Sequence, residues 1–249
     1  MDFSEAICMH LSMSPTFPDL TFNPRARIDA RSVGDERMPL LVIDNVLQHP
    51  EQMVEFAVAH GNFAPPPKGS YYPGLNGALP PAYGRSLVSA LRPLLAQIFG
   101  ISEKERLSYE GFFGLSTLSG KQLEPLQTIP HFDSDNPRRL AMVHYFCGAP
   151  FRGTALYRHL PTGFETVDSR RVGRYRQHVF AELENAPRHD YIEDETQHYI
   201  QIDCVPAQFN RLAVYSTTSL HSALLGGAPL TGDPRTGRLT ANSFIEIHR

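Results

Sequence analysis

Three observations predict an α+β chain in which helices come first and a β-sandwich or barrel follows. Two segments with helical spacing of apolar residues fall within the first hundred positions. Short runs rich in Phe and Tyr then succeed one another to the end, with 15 Phe and 10 Tyr in the 249 residues. Gly (18) and Pro (21) punctuate those runs, as turns between strands require. Strands gathered after helices, rather than alternating with them, favour a β core with helices packed outside it.

The elements follow in order. Residues 1–39 read as an irregular N-terminal arm, broken by Pro15, Pro18, Pro24 and Pro39. Residues 40–43 are a short apolar strand, and Asp44 and Asn45 turn the chain. Pro50 opens a helix to position 60, with Val54, Ala57 and Val58 as its apolar stripe. Residues 63–81 form a Pro- and Gly-rich loop in which Tyr71 and Tyr72 either wall a site or pack a helix. The spacing of Leu87, Val88, Leu91, Leu94, Leu95 and Ile98 predicts a second helix over 85–99, ended by Gly100. Strands are expected around 109–118 and at 126–132, 140–147, 154–159, 199–205, 211–215 and 238–247, with a helix at 168–185. The chain reads as one domain over 1–249, with 160–209 a lid-like insertion of the kind that carries substrate loops.

Composition removes several classes of function. A hydrophobic content of 41% excludes wholesale disorder. A net charge of −3 supplies no basic surplus for nucleic acid. No apolar run approaches the roughly 20 residues of a membrane helix, so no membrane is expected. The first residues lack a basic stretch followed by an apolar one, and Cys8, Cys147 and Cys204 form no CxxC pair. A reducing, cytoplasmic compartment is the expectation.

Three places offer chemistry. In an extended chain His131 and Asp133 point the same way, and an imidazole with a carboxylate suits Fe(II), Mn(II) or Zn(II). His49 and Glu51 match the same pattern, but Pro50 between them sits at a helix start. His221 follows the apolar run 211–215 and a small polar turn, and would add a third ligand from a distant strand. In the last strand Arg238, Thr240 and Asn242 alternate with Leu239 and Ala241, so polar groups share a face with Phe244. An inward arginine in a β core calls for an anion, and its planar fork matches a carboxylate. Each feature also has a plain structural reading, as a turn histidine, a strand-end histidine or an edge arginine.

In order and spacing, His131-x-Asp133, His221 and Arg238-x-Thr240 resemble the Fe(II)/2-oxoglutarate-dependent oxygenase superfamily, and the flanks resemble its prolyl-hydroxylase-like branch. Residues 41–55 are similar to that branch's opening strand and helix, and 140–147 to the strand after HxD, with Tyr145 at a position where the family often has a cosubstrate tyrosine. Residues 151–156 resemble its Gly-Gly-x-Leu strand and 211–215 its strand into the distal histidine. The resemblance spans residues 40–247 and extends to a bacterial group without assigned function. It implies a double-stranded β-helix (jelly-roll or cupin-like) core. It also implies Fe(II) on His131, Asp133 and His221, 2-oxoglutarate held by Arg238, Thr240 and Tyr145, O2 as the oxidant, and hydroxylation of an unactivated C–H bond. Asp133 sets the chain apart from the halogenase variant, which vacates that position. The chain departs from the pattern in a long 221–238 gap, which makes Arg235 a rival to Arg238. It departs again in Gly153-Thr154, where the family has Gly-Gly, and in the 160–209 insertion.

Other polar groups carry weaker readings. Arg158, His159 and Asn242 are candidate substrate contacts. His189, Asp190, Glu193, Asp194, Glu195 and His198 read as a solvated loop or a second metal site. Arg170, Arg171, Arg174 and Arg176 read as a charged helix face or an anion contact. The expected partner is an unknown substrate: a small molecule, an amino acid or a peptide. The alternatives are a catalytically silent β-sandwich module that binds a ligand or protein, and a zinc hydrolase using the same three ligands.

Overall fold

The computed structural model describes residues 17–185 and 190–248; Cys8, Pro15 and His189 lie outside them. The elements run β1 (Arg27–Val33), β2 (Met38–Asp44), α1 (Glu51–His60), β3 (Gly74–Gly77), α2 (Tyr83–Phe99), β4 (Arg106–Ser116), β5 (Arg139–Tyr145), β6 (Gly153–His159), α3 (Val172–Asn185), β7 (Tyr199–Pro206), β8 (Arg211–Ser216), β9 (His221–Leu224) and β10 (Arg238–His248). The antiparallel strands form a seven-stranded sheet, β1-β2-β8-β5-β10-β4-β3, and a three-stranded sheet, β7-β6-β9. The architecture is that of a β-sandwich with few helices.

Alternation along the strands explains the layers. On β2, Leu41 and Ile43 face α1 and α2, where they meet Met53, Phe56, Leu87, Leu91 and Leu95. Leu40 and Val42 face the other way, towards Leu156 and Val205 of the small sheet. β8 repeats this, with Leu212 and Val214 on the helix side and Ala213 and Tyr215 between the sheets. Both faces of the central strands are covered, so they read as continuous apolar runs. On the far side, Tyr175 and Val179 of α3 pack on Ala155, Tyr157 and Tyr199 of the small sheet.

The helices form near their expected places. Gly100 adopts φ 68° and closes α2, a left-handed conformation that glycine takes without a Cβ clash. Other expectations need correction. Part of the supposedly irregular arm is β1, a charged edge strand defined by its pairing with β2. Residues 126–132 are not a strand: Pro125–Thr128 is a 3-10 turn, and of the remainder His131 alone makes a bridge. Pro125 and Pro130 lack the amide donors that a ladder needs. The segment outside the sheets narrows from 160–209 to 160–198, because β7 belongs to the sandwich. Among the described residues no helix is long and apolar enough to cross a membrane.

Candidate metal centre

Backbone pairing brings the two histidines together. His131 and His221 form an antiparallel bridge in which each amide donates to the other's carbonyl, at 2.9 and 2.8 Å. Such a pair sends both side chains from one face, and the imidazole centroids are 4.4 Å apart. The Asp133 amide donates to the Thr217 carbonyl at 2.9 Å, which pins the chain two residues further on. The Asp133 carboxylate then lies 3.8 Å from His131 Nε2 and 3.6 Å from His221 Nε2. One ligand atom from each residue falls within 4.8 Å of the other two, the one such trio among the described residues. Ligands at about 2.1 Å from a shared ion stand roughly 3–4 Å apart, so the spacing fits a divalent metal.

His221 Nδ1 donates to the Ser219 carbonyl at 3.0 Å, which turns Nε2 towards Asp133. The His131 side chain is about half exposed and lines a cavity. Desolvation first, and His221 second, push its pKa down to about 3, which favours the neutral imidazole that a metal needs. Burial raises the Asp133 carboxyl, against the opposing pull of His221 and Arg139. Tyr215 packs its ring 4.9 Å from that of His221.

The three groups line a cavity of about 720 Å³ between the sheets, and Arg238 and Asn242 line it too. Arg238 is 3% exposed. One of its Nη groups donates to the Gly153 carbonyl at 3.1 Å, its Nε has no partner, and no carboxylate among the described residues pairs with it. The Asn242 Nδ2 is also buried and unpartnered. A buried cation with one neutral acceptor is costly, and an entering carboxylate would supply what both groups lack. The donor set and these orphaned atoms thus fit Fe(II) together with an anionic cosubstrate. Gly153 has φ 127° and a Cβ there would strike the Val205 carbonyl, so glycine is required where it receives Arg238. Arg235, the rival, is exposed beside Asp233.

Tyr145 and Thr240 are not among the residues that line the cavity. The Tyr145 hydroxyl donates to Thr154 Oγ1 at 2.6 Å, and its ring centroid is 5.9 Å from the Arg238 guanidinium. Thr240 Oγ1 donates to Asn242 Oδ1 at 3.2 Å. Both stand one layer behind residues that face the space, namely Thr154, Asn242 and Arg238. Arg158 and His159 are also placed elsewhere. A register shift between Leu156 and Tyr157 interrupts the alternation of β6. Arg158 pairs with Glu165 and Asp35, while His159 is buried against Thr162 and Glu182.

The acidic run reads as a loop in its described part: Glu193 accepts from the Leu225 and Gly226 amides and, with Asp194, pairs with Arg152. Of the basic residues on or beside α3, Arg170 pairs with Asp168 and Arg171 with Glu36, Arg174 lies over Phe164, and Arg176 lines the cavity. Sequence reasoning missed Ser116, Arg139, Tyr191 and Tyr215 as lining residues, and Tyr71 and Tyr72 do wall the space. For Arg139 the signal was present: it alternates onto the face of Ala141 and Tyr145.

A family model described as a family of unknown function (DUF6445) matches residues 24–245. No curated protein matches the chain. A crystal structure of the non-heme alpha-ketoglutarate-dependent epimerase SnoN from nogalamycin biosynthesis is similar at TM-score 0.45 and 13% identity, over 84% of this chain and 78% of that one.

Proposed function

The chain belongs to the DUF6445 family of unknown function, and from that premise we propose that it is an Fe(II)- and 2-oxoglutarate-dependent dioxygenase that hydroxylates an unactivated C–H bond. The observation that carries the reading is the convergence of two imidazoles and one carboxylate within 4.8 Å, in a cavity that also holds an unpaired buried guanidinium. Two histidines and one carboxylate leave open positions on a metal, as oxygen chemistry requires. The chain alternates between the sheets, from β5 to β6 and β7, back to β8, over to β9 and back to β10. That course, with His131 bridged to β9, supports reading the core as a double-stranded β-helix.

His131, Asp133 and His221 would hold the iron, and Arg238 would take the distal carboxylate of 2-oxoglutarate. Iron with 2-oxoglutarate and O2 supplies the oxidising power, so the protein needs no nucleophile of its own. The chain's part is to position and to exclude water. The Ser219 carbonyl fixes the His221 tautomer, Tyr145 and Thr240 hold the anion pocket from behind, and Tyr72, Tyr191 and Tyr215 wall the space. A cytoplasmic setting belongs to the same proposal, and Cys147 and Cys204 are free thiols.

The test is anaerobic titration of the purified chain with Fe(II) and 2-oxoglutarate, followed in the visible for the weak metal-to-ligand charge-transfer band. Wild type should show it, and His221→Ala and Arg238→Ala should each lose it. A wild type with neither band nor 2-oxoglutarate affinity would leave the silent binding module. Metal binding and hydrolysis without 2-oxoglutarate would leave the zinc hydrolase.

A further inference from the structure

The inner face of the large sheet carries a second arginine, towards the other end of the sheet from Arg238. Arg139 opens β5 and lies across from Glu246 of β10, eight positions along that strand from Arg238. At about 3.3 Å per residue, the two points of attachment are roughly 26 Å apart, too far for one five-carbon diacid to bridge. Arg139 is tied instead to the metal ligands. Thr217 accepts from the Asp133 amide at 2.9 Å and donates its own amide to the Arg139 carbonyl at 3.0 Å. Arg139 and Asp133 both line the cavity.

The Arg139 guanidinium is incompletely satisfied. It lies over the Phe244 ring, 4.7 Å from the centroid, and its Nε is buried without a partner. Its one carboxylate partner among the described residues is Glu110, which is 66% exposed and free to turn into solvent. The remaining charge of the cavity points the same way. Apart from the metal ligands, Arg139, Arg176 and Arg238 stand against Asp135. Phe244 lies against Arg139, and Phe112 and Phe132 line the same cavity.

The geometry points to a substrate with an apolar or aromatic body and a carboxylate, which Arg139 binds beside the metal while Arg238 serves the cosubstrate. The assignment rests on the oxygenase reading for the word substrate, but the anion site itself does not. Phe244 and the cavity's other aromatic residues take the body, and the guanidinium exchanges Glu110 for the entering carboxylate. Arg139 is therefore a specificity residue.

The probe is 3-phenylpropionate, with its uncharged amide as control, titrated calorimetrically into the full-length chain. Wild type should bind the acid about tenfold more tightly than the amide, the size of one charge-assisted hydrogen bond. Arg139→Gln should weaken that preference, whereas Arg238→Gln, which removes the other free anion site, and Glu110→Gln should keep it. Arg139→Gln should also retain the charge-transfer band with Fe(II) and 2-oxoglutarate. Four results would overturn the assignment: no acid preference in wild type, an unchanged preference in Arg139→Gln, loss in Arg238→Gln instead, or equal loss in Glu110→Gln, which would mark the ion pair as structural. Absence of the band in wild type defeats the oxygenase reading alone, since the acid preference is measured without iron or 2-oxoglutarate.

Discussion

His131 and His221 are joined by two backbone hydrogen bonds, 2.9 and 2.8 Å long, before any metal enters. The separation of their rings is therefore set by a sheet-like pairing rather than by an ion. A site built this way is ordered in advance, and ligation costs little further ordering.

Metal should therefore stabilise an already folded chain. Under anaerobic conditions, Fe(II) or Mn(II) at a hundred times its dissociation constant should add about 2.7 kcal/mol of stability. Asp133→Asn should fold with an unchanged melting temperature in the absence of metal and show no rise when it is added. Thermal unfolding with and without the ion measures both.

Arg238 is retained at a cost to the free protein. It is 3% exposed, its Nε has no acceptor, and one carbonyl is its hydrogen-bond partner. Arg238→Met should leave the ligand-free chain as stable as wild type or more stable by about 1–2 kcal/mol, because replacing a poorly paired buried charge relieves desolvation. The same variant should lose 2-oxoglutarate binding. Urea unfolding and a binding titration would check the pair, and a large loss of stability would contradict it.

Stability should fall as pH drops through the range set by His144. This residue is fully buried, accepts from the Tyr83 hydroxyl at 2.8 Å and donates to Asn210 Oδ1 at 3.2 Å. Desolvation pushes its pKa down to about 4, against the partial support of Asn210. The unfolded chain takes up this proton first, so the stability is present above about pH 6.5 and is lost progressively towards pH 4. The loss amounts to about 3 kcal/mol at most. His144→Gln should flatten that part of the curve, read as the difference between the two proteins in denaturant titrations from pH 7 to 4.

Gly114 keeps the anion pocket open. A Cβ there would fall on the Asn242 amide and the Tyr72 hydroxyl, both of which line the cavity. Both atoms end side chains that can shift, so Gly114→Ala should cost about 1–2 kcal/mol of stability. The displaced groups would crowd Arg238, so 2-oxoglutarate should bind more weakly while metal affinity stays unchanged. Parallel titrations of metal and cosubstrate would separate the two effects.

The chain sequence determined the elements whose pattern is local. α2 follows from six apolar residues at helical spacing and a glycine able to adopt positive φ. The inward face of Arg238, Thr240 and Asn242 follows from the two-residue period of a strand, and the three ligand types were legible one at a time. Tertiary structure decided what depends on partners distant in sequence. β1, β3 and β9 are short, charged or glycine-bearing segments that become strands through pairing with β2, β4 and β6. Whether His131 met His221, whether Tyr145 faced the cavity or stood behind it, and that Arg139 rather than Arg158 reached the metal side all rested on register. A strand's period says which residues share a face; the neighbour it pairs with, and any bulge between them, says what that face meets.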